Sequence, residues 1–261
     1  MTEPRRSLDK DAMQGIAGKS FFYPCAWEDW YEPLDAFGSL MDEFYFVDVG
    51  YQFSDPVLIK SSRWALLPEH SDLQGPAVDY MRIRDDGLRK FRDISPAWLR
   101  ERYVDGRTGR SVQVTRRRGF GQIALDELPD NSLGIFCHRG DSSVEGGSAT
   151  WFLANRNRYY PPLSRLFDKI KRKLAYPALI VSDGSNTSIR QLCAPCFALD
   201  DVATRDMFMK EFDSCGLHWK HVGELTVDAH RRTLVWRVER YEQGALRSGY
   251  PLSDEAARRL V

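Results

Sequence analysis

LGIFCH at residues 133–138 breaks into the polar, glycine-rich RGDSSVEGGS at 139–148, and ALIV at 178–181 breaks into SDGSNTS at 182–188. Between the two runs, Leu163, Leu166, Phe167, Ile170 and Leu174 fall at helical spacing, so the segment reads as strand, loop, helix, strand. In a right-handed β-α-β unit both strands point the same way, and both polar loops then open at one edge of the sheet. Open α/β sheets bind ligands at that edge. The stretch therefore predicts a pocket before it predicts a reaction.

The same grammar recurs upstream. SFFYPCA at 20–26 reads as a buried strand and WEDW at 27–30 as a polar turn. Trp30, Leu34, Phe37 and Met41 then share one helix face, with Pro33 tolerated in the first turn. FYFVDV at 44–49 is the next strand, with Asp48 near its end. Residues 1–19 are polar and aperiodic and predict a mobile arm; residues from about 55 to 130 predict a less regular insertion. Within it, ISPAWLRER predicts a short helix opened by Ser95 and Pro96, and RYVDGRTGRSVQVTRR a hairpin. Val202, Met209 and Phe212 predict a helix over 201–214, ended by Gly216. HWKHVGELTV and the alternating RRTLVWRVER, with Leu234, Trp236 and Val238 on one face, predict a closing hairpin around DAHRR. The expectation is one α/β domain over residues 20–245, Rossmann-like, with a mostly parallel sheet and a C-terminal antiparallel hairpin. Residues 246–261 would be a tail or short helix.

Composition bounds the function. With 261 residues and 43% hydrophobic content the chain can bury a sizeable core. Lys plus Arg and Asp plus Glu both number 37, so no global charge recruits nucleic acid or an anionic membrane surface. No apolar run reaches the roughly 20 residues of a membrane helix, and MTEPRRSLDKDAMQG lacks the apolar core of a signal peptide. These features predict a cytoplasmic protein acting on a small-molecule ligand, and leave the oligomeric state open. The five cysteines are scattered, with Cys25 and Cys137 inside apolar runs, which argues against a disulfide framework.

The order of elements, parallel β-α units followed by a terminal antiparallel hairpin, resembles the class I methyltransferases that use S-adenosylmethionine. The resemblance is architectural and spans roughly residues 20–240. It implies a turn after the first strand that faces the cofactor tail, and an acidic residue ending the second strand that binds ribose, here Asp48. That family's first turn is glycine-rich, whereas YPCAWEDW contains no glycine. The pairing of an FYP-type strand with the RGDS-x-x-EGGS loop also resembles bacterial proteins of unknown function.

Candidate site residues follow from the strand ends. Gly140, Gly146 and Gly147 permit close backbone approach, and with Ser148 and the neighbouring amides they predict an anion or nucleotide cradle. Asp141 and Glu145 on that loop are candidates for ribose, metal or proton transfer, against the plainer reading of a helix cap. His138 would act on a proton or hold phosphate, although a histidine ending a strand is often structural. Asp183, Ser185 and Asn186 form the companion loop, equally readable as an N-cap. Asp29 ends the first strand, where the tryptophans on either side of Glu28 and Asp29 would stack on a flat base or cover the core. The missing lysine and spacing rule out a Walker A loop. Cys193 and Cys196 lie an 18-residue gap from Cys215 and His218, close to a zinc-ribbon spacing. A helix between the pairs would hold them roughly 20 Å apart at about 1.5 Å per residue. Arg107, Arg110, Arg116, Arg117 and Arg118 beside Phe120 invite a nucleic-acid reading, but a solvated hairpin balanced by Asp126, Glu127 and Asp130 is the simpler one.

The expected function is that of a methyltransferase-like protein binding a nucleotide-like molecule, S-adenosylmethionine first among them, at the strand C-termini. Two rivals stand beside it. One is metal-dependent phosphoester chemistry with a divalent ion on Asp141, Glu145 and Asp183; the other is a non-catalytic nucleotide sensor, which the glycine-free first turn favours.

Overall fold

The computed structural model describes residues 6–9, 11, 13–24, 26, 27, 29–53, 63–79, 82–85, 90–138, 166–182, 212–214, 217–228 and 231–240. In chain order the elements are β1 (Arg6–Leu8), β2 (Ser20–Pro24), α1 (Tyr31–Phe37), β3 (Glu43–Asp48), β4 (Trp64–Gln74), β5 (Arg82–Asp85), β6 (Lys90–Asp93), β7 (Ala97–Asp105) and β8 (Ser111–Arg118). There follow α2 (Gly121–Glu127), β9 (Leu133–His138), α3 (Leu166–Lys173), β10 (Leu174–Ser182), β11 (Phe212–Ser214), β12 (Leu217–Asp228) and β13 (Arg231–Arg240).

One large mixed sheet organises the protein, in the order β1-β12-β13-β10-β9-β2-β3-β8-β7-β4, with β11 paired to β12; β5 and β6 form a separate two-stranded sheet. The run β10, β9, β2, β3, β8 is parallel at each of its four contacts. The other six pairings of the large sheet are antiparallel. This corrects the expected fold class. The protein is strand-dominated, its sheet is antiparallel at most contacts, and the helices among the described residues have only 7, 7 and 8 residues. A helix-rich Rossmann-like α/β domain is not what forms.

The reason lies in segments that carry weak patterns. ISPAWLRER is no helix: Ala97, Leu99, Glu101, Tyr103 and Asp105 are buried at every second position of β7, which pairs with both β8 and β4. The supposed insertion thus extends the main sheet by three strands. Of residues 1–19, expected as a mobile arm, the described ones are also integral. β1 pairs with β12, the Ala17 amide donates to the Pro177 carbonyl at 3.0 Å, and Met13 and Ile16 are buried. Gly18 and Gly134 permit this approach, since a Cβ on Gly18 would fall 2.3 Å from the Gly134 nitrogen. The predicted helix over 201–214 ends instead in strand β11, and residues 201–211 lie outside the described set.

Both faces of the central strands are buried, which explains their unbroken apolar sequences. Phe21, Tyr23, Phe44, Phe46, Ile135, Cys137, Leu179 and Val181 pack on one face with Leu34 and Phe37 of α1. Phe22, Phe136, Ile180, Leu234, Trp236 and Val238 pack on the other with Leu125 of α2 and Ile170 of α3. The closing hairpin forms as expected, and the Trp219 and Trp236 rings meet edge to face at 6.3 Å across it.

The turn from β7 to β8 is organised by one carboxylate. Asp105, 1% exposed, accepts from Arg63 Nε at 3.0 Å and Nη2 at 2.7 Å, from the Arg107 amide at 2.9 Å and from Thr108 Oγ1 at 3.0 Å. Arg63 above all, then the turn amide and the Thr108 hydroxyl, hold its pKa well below the usual carboxylate range. A carboxylate depressed in the folded state contributes stability that is complete above its unfolded pKa and is lost as pH falls toward the folded one. Asp105→Asn is therefore expected to cost about 2–3 kcal/mol at pH 7 and progressively less below about pH 4. Urea unfolding of both proteins at pH 7 and pH 3 measures this; an equal deficit at both would refute the ion-pair account.

Candidate functional site

Because β2, β3, β8, β9 and β10 are parallel, their final residues Pro24, Asp48, Arg118, His138 and Ser182 all stand at one edge of the sheet. The turn that leaves β2 is laid across the end of β3. The Ala26 amide donates to the Val47 carbonyl at 3.0 Å, and the Trp27 amide to Asp48 Oδ2 at 3.0 Å. Asp48 Oδ1 takes the Gly50 amide at 2.8 Å, and the Asp48 carbonyl takes the Gly119 amide at 3.1 Å. Asp48 thus joins the exits of β2, β3 and β8. Asp29 follows two residues after Trp27, and its Oδ2 accepts the Tyr23 hydroxyl at 3.0 Å.

Arg118 supports this edge from beneath. It is fully buried, and its guanidinium donates to the carbonyls of Ser95 at 2.8 Å, Tyr51 at 3.1 Å, Ala77 at 3.3 Å and Pro76. Asp79 lies 3.8 Å away, and burial draws the arginine pKa down while Asp79 opposes the shift. Gln52 and Asp79 exchange two hydrogen bonds of 2.9 Å, and Asp79 Oδ2 takes the Ser95 amide at 2.7 Å. The loops at 51–53, 76–79 and 94–96 are therefore one unit, tied at Arg118.

His138 and Ser182 occupy the edge on neighbouring strands. They are register partners and both are buried. Their hydrogen-bonding side chains follow the apolar Phe136 and Ile180 on the same sheet face, so two polar groups terminate that apolar layer.

Of the residues expected to form the site, Asp29, Asp48 and His138 come to this one edge. Asp141, Glu145, Gly140, Gly146, Gly147, Ser148, Asp183, Ser185 and Asn186 lie outside the described residues, as do Cys193, Cys196 and Cys215. Among the described residues no group of three His, Cys, Asp or Glu side chains is placed to hold a metal ion. None of the described helices is long and apolar enough to cross a membrane. The arginine-rich hairpin is engaged within the protein. Arg110 pairs with Asp42, Arg116 with Glu101 and Arg117 with Glu127.

Arg118 escaped the sequence reading, in which Trp27 is only one of two tryptophans that would stack on a flat base or cover the core. Arg118 looked like one member of a charged run, although its even spacing from the buried Val112 and Val114 was a signal that it faces inward. Trp30, in period with Leu34 and Phe37, is core as its spacing implies, whereas Trp27 has no such period and is 55% exposed. No protein-family model, curated protein or solved structure matches the chain.

Proposed function

We propose that the carboxyl edge of the five parallel strands is a binding site for a nucleotide-like small molecule, with S-adenosylmethionine as the ligand of choice and methyl transfer as the reaction. The observation that supports this is the common direction of β2, β3, β8, β9 and β10, which brings Asp29, Asp48 and His138 to one edge. Ligands of open sheets collect where several strands end together. A pair of aspartates there suits a ribose diol and a cationic sulfonium better than it suits an anionic phosphate. Transfer of a methyl group requires the donor and acceptor to be held in line and needs no enzyme nucleophile, so positioning carries most of the rate.

Calorimetric titration with S-adenosylmethionine tests the reading. Binding is expected at or below millimolar ligand, and Asp29→Asn is expected to weaken it about tenfold, as the loss of a charge-assisted contact does. The asparagine retains an oxygen for the Tyr23 hydroxyl, so the unliganded melting temperature should hardly move. Absence of heat with the wild-type protein at millimolar ligand would remove the methyl-transfer reading.

A further inference from the structure

The WEDW turn holds two tryptophans three residues apart with opposite fates. Trp30 is 2% exposed and stacks on the neighbouring Tyr31 ring at 4.1 Å, whereas Trp27 is 55% exposed. An exposed indole is ordinarily left to move, but Trp27 is held by two means. Its backbone has a φ of 41°, a left-handed conformation that a bulky side chain rarely takes. That conformation is braced by the Asp48 carboxylate, which accepts the Trp27 amide at 3.0 Å. The ring in turn lies on the exit turn of β3, where a Cβ added to Gly50 would meet the indole six-membered ring at 2.1 Å. The same carboxylate takes the Gly50 amide at 2.8 Å, so one side chain positions both the tryptophan and the bare glycine beneath it.

A strained, braced tryptophan that leaves more than half of its surface exposed is only partly explained by stability, and strain of this kind collects at ligand-binding positions. The arrangement leaves a flat apolar surface, backed by backbone, at the edge where the parallel strands end. We infer that Trp27 is a stacking platform for the planar base of a nucleoside, with Asp48 and Gly50 as the positioning residues that set its tilt. The inference rests on the carboxyl-edge site proposed above and specifies how that site would recognise its ligand. Stacking on an indole accepts either face of a purine and tolerates a range of bases, because every base offers a π-face.

Adenosine is the probe, followed in the amide and indole region of a ¹H–¹⁵N spectrum, with the Trp27 indole signal assigned by its disappearance in Trp27→Phe. Adenosine is expected to shift that signal. Trp27→Leu should weaken adenosine binding about tenfold or more, while Trp27→Phe keeps most of the affinity. Gly50→Ala should also weaken it, because the new methyl group displaces the indole without altering a group that faces the ligand. All three variants are expected to keep the wild-type spectrum away from residues 24–30 and 47–53. Equal adenosine affinity in wild type and Trp27→Leu would overturn the platform and leave the edge site standing. No binding of adenosine to wild type at millimolar concentration would overturn the platform, while the edge site stands or falls with the S-adenosylmethionine titration. A Trp27 shift with tetramethylammonium and none with adenosine would replace base stacking by cation recognition on the same ring.

Discussion

Replacing Arg118 by methionine is expected to lower the unfolding free energy by about 4 kcal/mol, a large share of the roughly 5–15 kcal/mol that folded proteins ordinarily possess. The guanidinium is fully buried and donates to four carbonyls from three separate loops, those of Tyr51, Pro76, Ala77 and Ser95. Methionine fills much of the volume but donates nothing, so the buried Tyr51 carbonyl loses its partner at about 1–3 kcal/mol and the three half-buried carbonyls at less each. Arg118→Lys keeps the charge and three donors without the planar fork, and should recover less than half. Urea denaturation measures the loss. Hydrogen exchange then locates it: the amides of Phe53 and Asp79, bonded at 2.8 and 2.9 Å between the loops, should open first. A cost below about 1 kcal/mol would mean that the loops hold one another without the arginine. The result bears on the candidate site as well, since these loops adjoin the Asp48 turn on which Trp27 lies.

Arg116→Met is expected to cost about 3–5 kcal/mol, because it strands a carboxylate inside the protein. Arg116 and Glu101 face each other from β8 and β7 with side chains 5% and 6% exposed, joined by Nε and Nη2 contacts of 3.3 and 3.0 Å to one oxygen. The Tyr103 hydroxyl donates to the same oxygen at 3.2 Å, and burial together with the Glu101 charge pushes the Tyr103 pKa upward. The guanidinium also lies 5.5 Å from the Trp30 ring centre and 5.8 Å from that of Phe53. The double replacement of Glu101 by Gln and Arg116 by Met removes both charges and retains an acceptor for Tyr103, so it should recover more than half of the loss. If the double variant is as unstable as the single one, the contact of the guanidinium with the Trp30 and Phe53 rings outweighs the ion pair.

The parts of the fold legible in the sequence are those where one segment's own pattern settles its environment. SFFYP and LGIFCH are apolar at successive positions, which only strands buried on both faces require, and they stand side by side at the centre of the sheet. The alternation of RRTLVWRVER likewise reports a strand with one face toward Leu217 and Trp219. From the same local logic Asp48 fell at a strand end beside the exit of the first strand. The rest depended on partners remote in sequence. ISPAWLRER reads as a helix start until β8 supplies Arg116 for Glu101, 15 residues away, and makes a buried acid acceptable at every-second-residue spacing. Arg118 resembles any surface arginine until Tyr51, 67 residues earlier, and the 76–77 loop wrap its donors. Trp30 shares a helical period with Leu34 and Phe37 that marks it as core, whereas nothing local places Trp27, and only the Gly50 turn and the Asp48 carboxylate fix where its exposed ring lies. Residue type and period determine which strands are buried; whether a charge or a ring is buried depends on the free energy of its partners, and those the tertiary structure alone assembles.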